Sequence, residues 1–349
     1  MKWHWTKAHR YGNSCRVSKL KAVFIAGGLS IAGLNTAAEL DVVASPNATT
    51  LHANGEVLWT YHHDPQEGKP YFHPLNTSQG DRLSELRPKD HPWHRGLWFS
   101  WKYINGVNYW EEDRTTGLSD GLTRLLATQR HINESQEVTI EQVLDYAPTT
   151  DGPALLVESR RLVIVPPNAS GDYLIDWRSE FRALKDLELD RTPILGEPGG
   201  KKYGGYAGLS IRLNKSSVGG TFLTAEGDLN GKEIQNVAST WMAFNTKQGG
   251  SILMMDHPGN FRSPTKWYVV PAMPYFSPAI LFDAPHRMAA GESLVLHYRI
   301  LVSAEAMPAA KAAAAFREWQ ASAQLGRAAF PGTQNSGFAS GSLPRTLNP

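Results

Sequence analysis

The most constraining feature of this sequence is a succession of segments in which apolar and polar residues alternate. Clear examples are residues 138–146, 155–165, 173–184 and 293–302. A period of two residues predicts strands that place one face on a core and the other in water. Turn-forming clusters such as Pro166-Pro167-Asn168 separate the segments. No amphipathic segments of helical period alternate with them, which excludes a doubly wound sheet and a TIM barrel.

We therefore predict an all-β domain over residues 39–303, built as a large antiparallel β-sandwich of two sheets packed face to face. One C-terminal helix is predicted over residues 304–325, where the run MPAAKAAAAFREWQASA is rich in alanine. Residues 326–349 are rich in Gly, Ser, Pro and Asn, and we predict that they form a disordered tail.

Residues 1–38 have the pattern of a signal peptide. Six basic and no acidic residues occupy positions 1–21, an apolar run covers 22–34, and Thr36-Ala37-Ala38 places small residues before a cleavage point. We therefore expect a periplasmic or secreted protein with no membrane span after cleavage. The single cysteine, Cys15, lies in this leader, so a disulfide scaffold is excluded.

The leader also changes the charge of the chain. The full sequence has 35 basic and 33 acidic residues, a net charge of +2. Without the six basic residues of the leader the net charge is −4. A nucleic-acid-binding protein needs a basic stripe, which this remainder does not have, so nucleic acid is not an expected partner.

Histidines are concentrated in one part of the chain. Five of the twelve fall between residues 62 and 94, among many Trp and Tyr residues. The densest segment is KDHPWHRG, residues 89–96. Pro92 favours an extended backbone at His91, so that His91 and His94 can face one point. Asp90 can orient one of these imidazoles.

Three interpretations of these histidines remain open. They are hydrogen-bonded packing groups, or they transfer protons as acid and base near neutral pH. Alternatively, His73, His91 and His94 are three nitrogen ligands of one divalent metal ion, a possible cofactor.

A second segment, DHPGNFR at residues 256–262, repeats the Asp-His-Pro pattern after an apolar run. Asp256 and His257 are predicted at a strand end, where side chains can line a cleft. Arg262 can bind a carboxylate with its guanidinium, and Asn260 can bind a hydroxyl. The alternative is a turn stabilised by Asp and Asn side chains.

A third segment, GGKKYGGYAGLSIR at residues 199–212, is rich in glycine. It does not match a phosphate-binding loop, because no Ser or Thr follows its Gly-Lys pair. The glycines are expected to allow close approach of a backbone to a ligand or to another strand. Tyr206 and Arg212 are candidate site residues.

These motifs resemble a bacterial family of unknown function that carries the label "methane oxygenase PmoA". The resemblance rests on KPYFHPL (69–75), DHPWHRGLW (90–98), NGVNYW (105–110), YAGLSIR (206–212) and DHPGNFR (256–262), and covers roughly residues 50–303. It implies a secreted β-sandwich related in outline to the galactose-mutarotase supersandwich and other carbohydrate-processing sandwiches. It implies no established activity.

Aromatic side chains with polar neighbours suit sugars, which present apolar faces and a rim of hydroxyls. We therefore predict a carbohydrate-active enzyme that cleaves or rearranges glycosides with histidine and carboxylate acid–base groups, acting on a carbohydrate or another small molecule. The alternatives are a metal-dependent oxidoreductase, as the label suggests, and a non-catalytic sugar-binding module. The predicted catalytic residues are His73, His91, His94, His257, Asp90 and Asp256. The predicted substrate-binding residues are Trp93, Arg95, Trp98, Trp110, Glu111, Tyr206, Arg212, Asn260 and Arg262.

Overall fold

A computed structural model describes residues 38–229 and 236–329, with side chains as far as residue 322. The described chain is mostly β. In chain order the strands are β1 (Leu40–Ala44), β2 (Ala48–Ala53), β3 (Glu56–His62), β4 (Tyr71–Leu75), β5 (Leu97–Ser100), β6 (Tyr103–Ile104), β7 (Val107–Asn108), β8 (Leu122–Ile132), β9 (Val138–Ala147), β10 (Leu156–Val165), β11 (Tyr173–Ala183), β12 (Leu187–Asp190), β13 (Gly208–Arg212), β14 (Thr221–Thr224), β15 (Gly227–Leu229), β16 (Trp241–Asn245), β17 (Ser251–Asp256), β18 (Trp267–Val270), β19 (Tyr275–Pro278), β20 (His286–Met288) and β21 (Ser293–Ser303). A 3-10 turn spans Lys215–Ser217, and helix α1 spans Ala309–Ala329.

The strands form three antiparallel sheets. An eight-stranded sheet has the order β1-β2-β3-β4-β5-β13-β19-β18, and a nine-stranded sheet has the order β15-β14-β16-β17-β21-β11-β10-β9-β8. A four-stranded sheet, β20-β12-β6-β7, is smaller. These sheets and the single C-terminal helix confirm the predicted all-β class. The predicted leader and most of the predicted tail lie outside the described residues.

The main core lies between the two large sheets, as the alternation predicts. On β11 the residues Tyr173, Ile175, Trp177 and Phe181 are fully buried, and they alternate with more exposed residues, most of which are polar. Side chains of the eight-stranded sheet, such as Phe72 and Phe99, join the same apolar cluster. Burial of this apolar surface is the main stabilising contribution to the sandwich.

One ion pair is fully buried in this core. Both oxygens of Glu158 accept hydrogen bonds from Arg160, at 2.7 and 2.9 Å, and Glu158 also accepts from Tyr146 Oη and Ser179 Oγ, each at 2.6 Å. Arg160 Nη1 donates to Tyr61 Oη (3.3 Å) on the opposite sheet. The pair therefore links the two sheets, with both side chains completely shielded from water.

Helix α1 covers the outer face of the nine-stranded sheet. Phe316 and Trp319 pack there against Trp241, Leu253 and Leu301. The helix begins at Ala309, later than the predicted 304, because Asn245 hydrogen-bonds the backbone of Met307 in an extended link. In the described part of the chain, no helix has the length and apolarity that crossing a membrane requires.

Candidate functional site

A cavity of about 630 Å³ opens beside the outer face of the eight-stranded sheet, away from helix α1. Small-molecule sites commonly measure about 300–1,000 Å³. Seven aromatic side chains line it: Trp93, Tyr103, Trp110, Tyr203, Tyr206, Tyr268 and Tyr275. Polar lining residues are His91, His94, Lys102, Asn108, Glu111, Thr192 and Lys201.

The alternation of side chains along β18 and β19 determines which residues form the floor of this cavity. On β18 and β19 the residues Trp267, Val269 and Phe276 face the core, so Tyr268 and Tyr275 face outward. Their rings lie 5.9 Å apart. The same alternation turns Arg212 of β13 to the outer face, because Ile211 packs in the core.

The DHPWHRG loop supplies one wall. The ring of His91 stacks on that of His94 at 4.7 Å between centroids. His94 in turn stacks on Tyr275 at 5.3 Å and lies 5.2 Å from the ring of Trp98 on β5. The loop is anchored by a hydrogen bond from the backbone N–H of Arg87 to His94 O (2.8 Å).

His91 is held by a carboxylate. Its Nδ1 lies 3.0 Å from Asp90 Oδ2, and Arg212 Nη2 donates to both oxygens of Asp90 at 3.2 and 3.1 Å. Burial raises the pKa of Asp90, but the hydrogen bonds from His91 and Arg212 outweigh it and hold the pKa at about 2. Because an ionised Asp90 can only accept a hydrogen bond, His91 donates to it through Nδ1–H, and Nε2 is the ring nitrogen left for other partners.

His94 is kept neutral. Burial lowers its pKa well below 6.5, and the nearby charges of His91 and Arg212 act in the same direction. Its buried Nδ1 has no hydrogen-bond partner among the described residues. His94 is therefore a weaker base than an ordinary histidine, and its ring is suited to packing and to hydrogen bonding a ligand.

The opposite wall carries a charged network. Lys102, 3% exposed, forms a close ion pair with Glu111, whose other oxygen accepts from Tyr206 Oη at 3.0 Å. The Lys102 ammonium also lies 4.8 Å from the centre of the Tyr103 ring. Burial lowers the pKa of Lys102, and the Glu111 charge only partly opposes this. Burial by itself raises the pKa of Glu111, but the Lys102 charge and the hydrogen bonds from Lys102 and Tyr206 together lower it.

A second buried network supports this wall from behind. Glu112 accepts from Lys69 Nζ (3.0 Å) and from Arg95 Nε (2.9 Å), and Lys69 also donates to Trp110 O (2.7 Å). The Glu112 and Lys69 side chains are each 3% exposed, and that of Arg95 is 1% exposed. The network fixes the backbone between Trp110 and Glu112, and therefore the position of Glu111.

Six predicted site residues line the cavity together: His91, Trp93, His94, Trp110, Glu111 and Tyr206. Asp90, Trp98 and Arg212 contact those lining residues without lining the cavity themselves. Arg95 lies behind the wall in the Glu112 network rather than at the ligand surface.

His73 does not join this group. It lies half-buried on β4, with Nδ1 2.9 Å from Ser84 Oγ, and burial lowers its pKa to about 4. Within residues 38–229 and 236–329, no three His, Cys, Asp or Glu side chains are grouped so that they could hold a metal ion. This corrects the expectation of a metal site formed by His73, His91 and His94.

The second Asp-His-Pro segment is also elsewhere. Asp256 is fully buried and accepts from Asn260 Nδ2 (2.7 Å) and Thr265 Oγ1 (2.7 Å). His257 stacks on His297 at 5.2 Å and meets the edge of Trp319 at 5.2 Å, on the helix side of the sandwich.

Arg262 completes this arrangement. It donates to three backbone carbonyls, those of Ile280, Ala284 and Pro285. These contacts correspond to the alternative interpretation of the segment as a stabilised turn. The expectation that Asp256, His257, Asn260 and Arg262 share a cleft with His91 is corrected accordingly.

Sequence reasoning did not include several cavity residues in the site. Lys102, Lys201, Tyr268 and Tyr275 were not proposed, although Lys102 lies only three residues before the NGVNYW motif. The signal for Tyr268 and Tyr275 was the alternation in WYVV and YFSP, which places one aromatic outward on each strand.

The glycine-rich segment forms a tight loop that carries Lys201 and Tyr203. A Cβ on Gly200 would lie 1.9 Å from Ile194 O, and one on Gly204 would lie 2.1 Å from Pro193 O. The glycines therefore allow two stretches of backbone to approach closely, one of the two roles expected of them.

A model of a family described as a family of unknown function, DUF6807, matches residues 48–317. No curated protein matches the chain. Three similar solved structures illustrate the structural comparison. The galactosidase domain of the alpha-galactosidase-sucrose kinase AgaSK is 11% identical, with a TM-score of 0.38, and the match covers 76% of this chain and 42% of that one.

The Slr1438 protein from Synechocystis sp. PCC 6803 is 9% identical with a TM-score of 0.38, over 77% of this chain and 96% of that one. A galactose mutarotase related enzyme from Lactobacillus acidophilus is 8% identical with a TM-score of 0.26, over 77% of this chain and 100% of that one. This chain thus spans about two fifths of the AgaSK galactosidase chain.

Proposed function

This chain belongs to the family of unknown function DUF6807, and we propose that it is a carbohydrate-active enzyme that cleaves or rearranges a glycoside by proton transfer. The observation that carries the proposal is the Asp90–His91 pair at the edge of an aromatic-walled cavity that also holds the Lys102–Glu111–Tyr206 network. The proposal includes a periplasmic or secreted location.

The walls of the cavity favour a sugar as ligand. The ring centroids of Trp110 and Tyr206 lie 5.1 Å apart, and those of Tyr206 and Tyr268 lie 5.4 Å apart. Flat apolar ring faces therefore surround the cavity. Aromatic side chains of this kind present an apolar face and a polar tip. Asn108 and Thr192 add hydrogen-bonding groups that suit hydroxyls.

The charged groups suggest the chemistry. His91, oriented through Nδ1 by Asp90, takes a proton from a carbon of the sugar through Nε2. Lys102, fixed by Glu111, stabilises the negative charge that develops on the substrate. Because its pKa is held low, Asp90 stays ionised and stabilises the imidazolium that forms on His91.

Two outcomes complete this step with atoms and electrons conserved. The electron pair left on carbon forms a C=C double bond as the neighbouring C–O bond breaks, and the His91 imidazolium protonates the departing oxygen. Alternatively, a proton from solvent reaches the opposite face of the same carbon, His91 releases its own proton to solvent, and the configuration at that carbon is inverted. Neither route consumes an oxidant, a reductant or water.

Ordinary glycoside hydrolysis is less well supported. It uses two carboxylates that flank the scissile bond. Glu111 is the one carboxylate among the described residues that line the cavity, and it is already engaged by Lys102 and Tyr206.

The test is to screen purified protein against a panel of glycans, measuring affinity by calorimetry and products by mass spectrometry. We expect His91→Ala to abolish turnover while affinity stays within about threefold. His257→Ala is the matched control, because His257 lies on the helix side of the sandwich. Equal turnover by wild type and His91→Ala would contradict the proposed role of His91.

A non-catalytic sugar-binding module is the second candidate, and the seven aromatic lining residues favour it. It predicts affinity for a glycan with no product from any member of the panel. In that case His91→Ala and His257→Ala would differ only in affinity.

A further inference from the structure

The cavity has an excess of positive charge. Lys102 and Lys201 both line it, and Glu111 is the only described lining residue with an opposing charge. His94 stays neutral because burial lowers its pKa. Arg212, which supports the His91 ring through Asp90, is paired with Asp90 and also lies 3.8 Å from a carboxylate oxygen of Glu85. The two lysines that line the cavity are therefore matched by one carboxylate among the described lining residues.

The two lysines repel one another. Lys102 is deeply buried, and besides its burial the charge of Lys201 contributes to the lowering of its pKa. Lys102 is buried and Lys201 is exposed at the side of the cavity, and repulsion between their ammonium groups costs free energy unless an anion lies near both. A ligand with a negative charge would remove this repulsion.

The fold holds the backbone of Lys201 in place. Its N–H donates to Pro193 O (2.9 Å) and its carbonyl accepts from the N–H of Gly204 (3.0 Å). Glu197 accepts from Arg191 Nη2 (2.5 Å) and from the N–H of Ile194 (2.8 Å), which fixes the start of the same loop. The position of the second lysine beside the cavity is thus a built feature of the loop.

An aromatic surface extends past the charged groups. Tyr203 lines the cavity yet is 64% exposed, one of the few large apolar side chains on the described surface. A tyrosine ring presents a flat apolar face and a polar tip. The ring is suited to stack on a second sugar unit at the mouth.

We propose that the cavity binds a carbohydrate that carries a carboxylate, a uronate or aldonate, and that this carboxylate pairs with Lys102 and Lys201. The inference rests on the proposed function and names its substrate class. Lysine ammonium groups bind carboxylates through charge-assisted hydrogen bonds.

A carboxylate also suits the proton transfer. A C–H bond next to a carboxylate loses its proton to give an enolate-like anion, with the extra charge on the carboxylate oxygens. The two lysines would stabilise that charge in the transition state more than in the ground state. The proton and the electron pair then follow the two routes given above.

The experiment compares sugars that differ only in the carboxylate. Affinities are measured by calorimetry for galacturonate against galactose and glucuronate against glucose, as free sugars and as terminal units of disaccharides. We expect at least tenfold tighter binding of the acidic member. We also expect that this preference shrinks at 0.5 M salt, where charge interactions are screened over about 4 Å.

Two lysine variants locate the effect. Lys201→Gln is expected to remove most of the tenfold preference, read as the ratio of the affinities for the acidic and the neutral sugar. Lys202→Gln is the matched control, because Lys202 is an exposed neighbour that does not line the cavity. An equal loss in both variants would show a general charge effect and overturn the assignment.

Other outcomes separate this inference from the proposed function. Equal affinity and turnover for neutral and acidic sugars would overturn the carboxylate assignment and leave the proposed function standing. Tighter binding of the corresponding sugar phosphate than of the uronate would also overturn it. No binding of any sugar would overturn both.

Discussion

Replacing Glu158 with leucine should be among the most destabilising single changes in this protein. The substitution removes four hydrogen bonds at 2.6–2.9 Å and leaves Arg160 charged in a core where both side chains are 0% exposed. Breaking one partner of a buried ion pair costs about 3–5 kcal/mol. With an unfolding entropy of about 2.1 cal/mol/K per residue, that corresponds for a chain of this size to a fall in Tm of about 4–8 °C.

Thermal unfolding followed by circular dichroism measures the effect, with urea titration as a second probe. Glu188→Gln is the control, because the Glu188–Arg287 pair is exposed and such pairs contribute at most about 1 kcal/mol. The double variant Glu158→Leu, Arg160→Met should recover most of the lost stability, since apolar residues of similar volume can replace a buried pair. A Tm of Glu158→Leu within about 2 °C of the control would refute the buried link between the sheets.

Three further predictions concern the pH dependence of stability, the glycine-rich loop and the Asp90–His91 pair. Burial lowers the pKa of His297 to about 4, so the unfolded chain takes up a proton at this histidine at a higher pH than the folded protein does. The free energy of unfolding therefore falls by up to about 3 kcal/mol as the pH drops from 6.5 to 4. His297→Gln should flatten this part of a plot of urea midpoint against pH. Gly200→Ala, whose Cβ would meet a backbone carbonyl at 1.9 Å, should lower the Tm more than Gly199→Ala, which has open space and only a φ of +71° to strain it. Arg212→Gln should raise the pKa of Asp90 from about 2, which carbon-13 NMR of the carboxyl group measures. An unchanged pKa would show that Arg212 does not support the Asp90–His91 pair.

The architecture could be predicted from sequence because alternation reports burial directly. The segments YLIDWRSEFRA and LVESRRLVIV became β11 and β10, with the predicted residues inside. The helix was predicted five residues too early, since an extended link at Met307 is fixed by Asn245, sixty-two residues away in the chain. Local propensity contains no information about such a partner.

The site was predictable only where the relevant residues are close in sequence. The pair Asp90 and His91 and the neighbours Trp110 and Glu111 were identified from dense local motifs. The two Asp-His-Pro segments look alike as sequence, but His91 lines the cavity at the eight-stranded sheet, whereas His257 packs against Trp319 of helix α1. Which face a segment reaches depends on strand order, and that order is set by pairing between distant strands.

The most direct test of the central claim is solvent hydrogen exchange into a bound sugar. Wild-type protein, His91→Gln and His257→Gln are each incubated with the best-binding sugar in D₂O, and deuterium on carbon is read by NMR and mass spectrometry. The account predicts deuterium at one carbon position with wild type and His257→Gln, and none above background with His91→Gln. Equal incorporation by all three proteins, or none by any of them with a sugar that binds, would contradict proton transfer in this cavity.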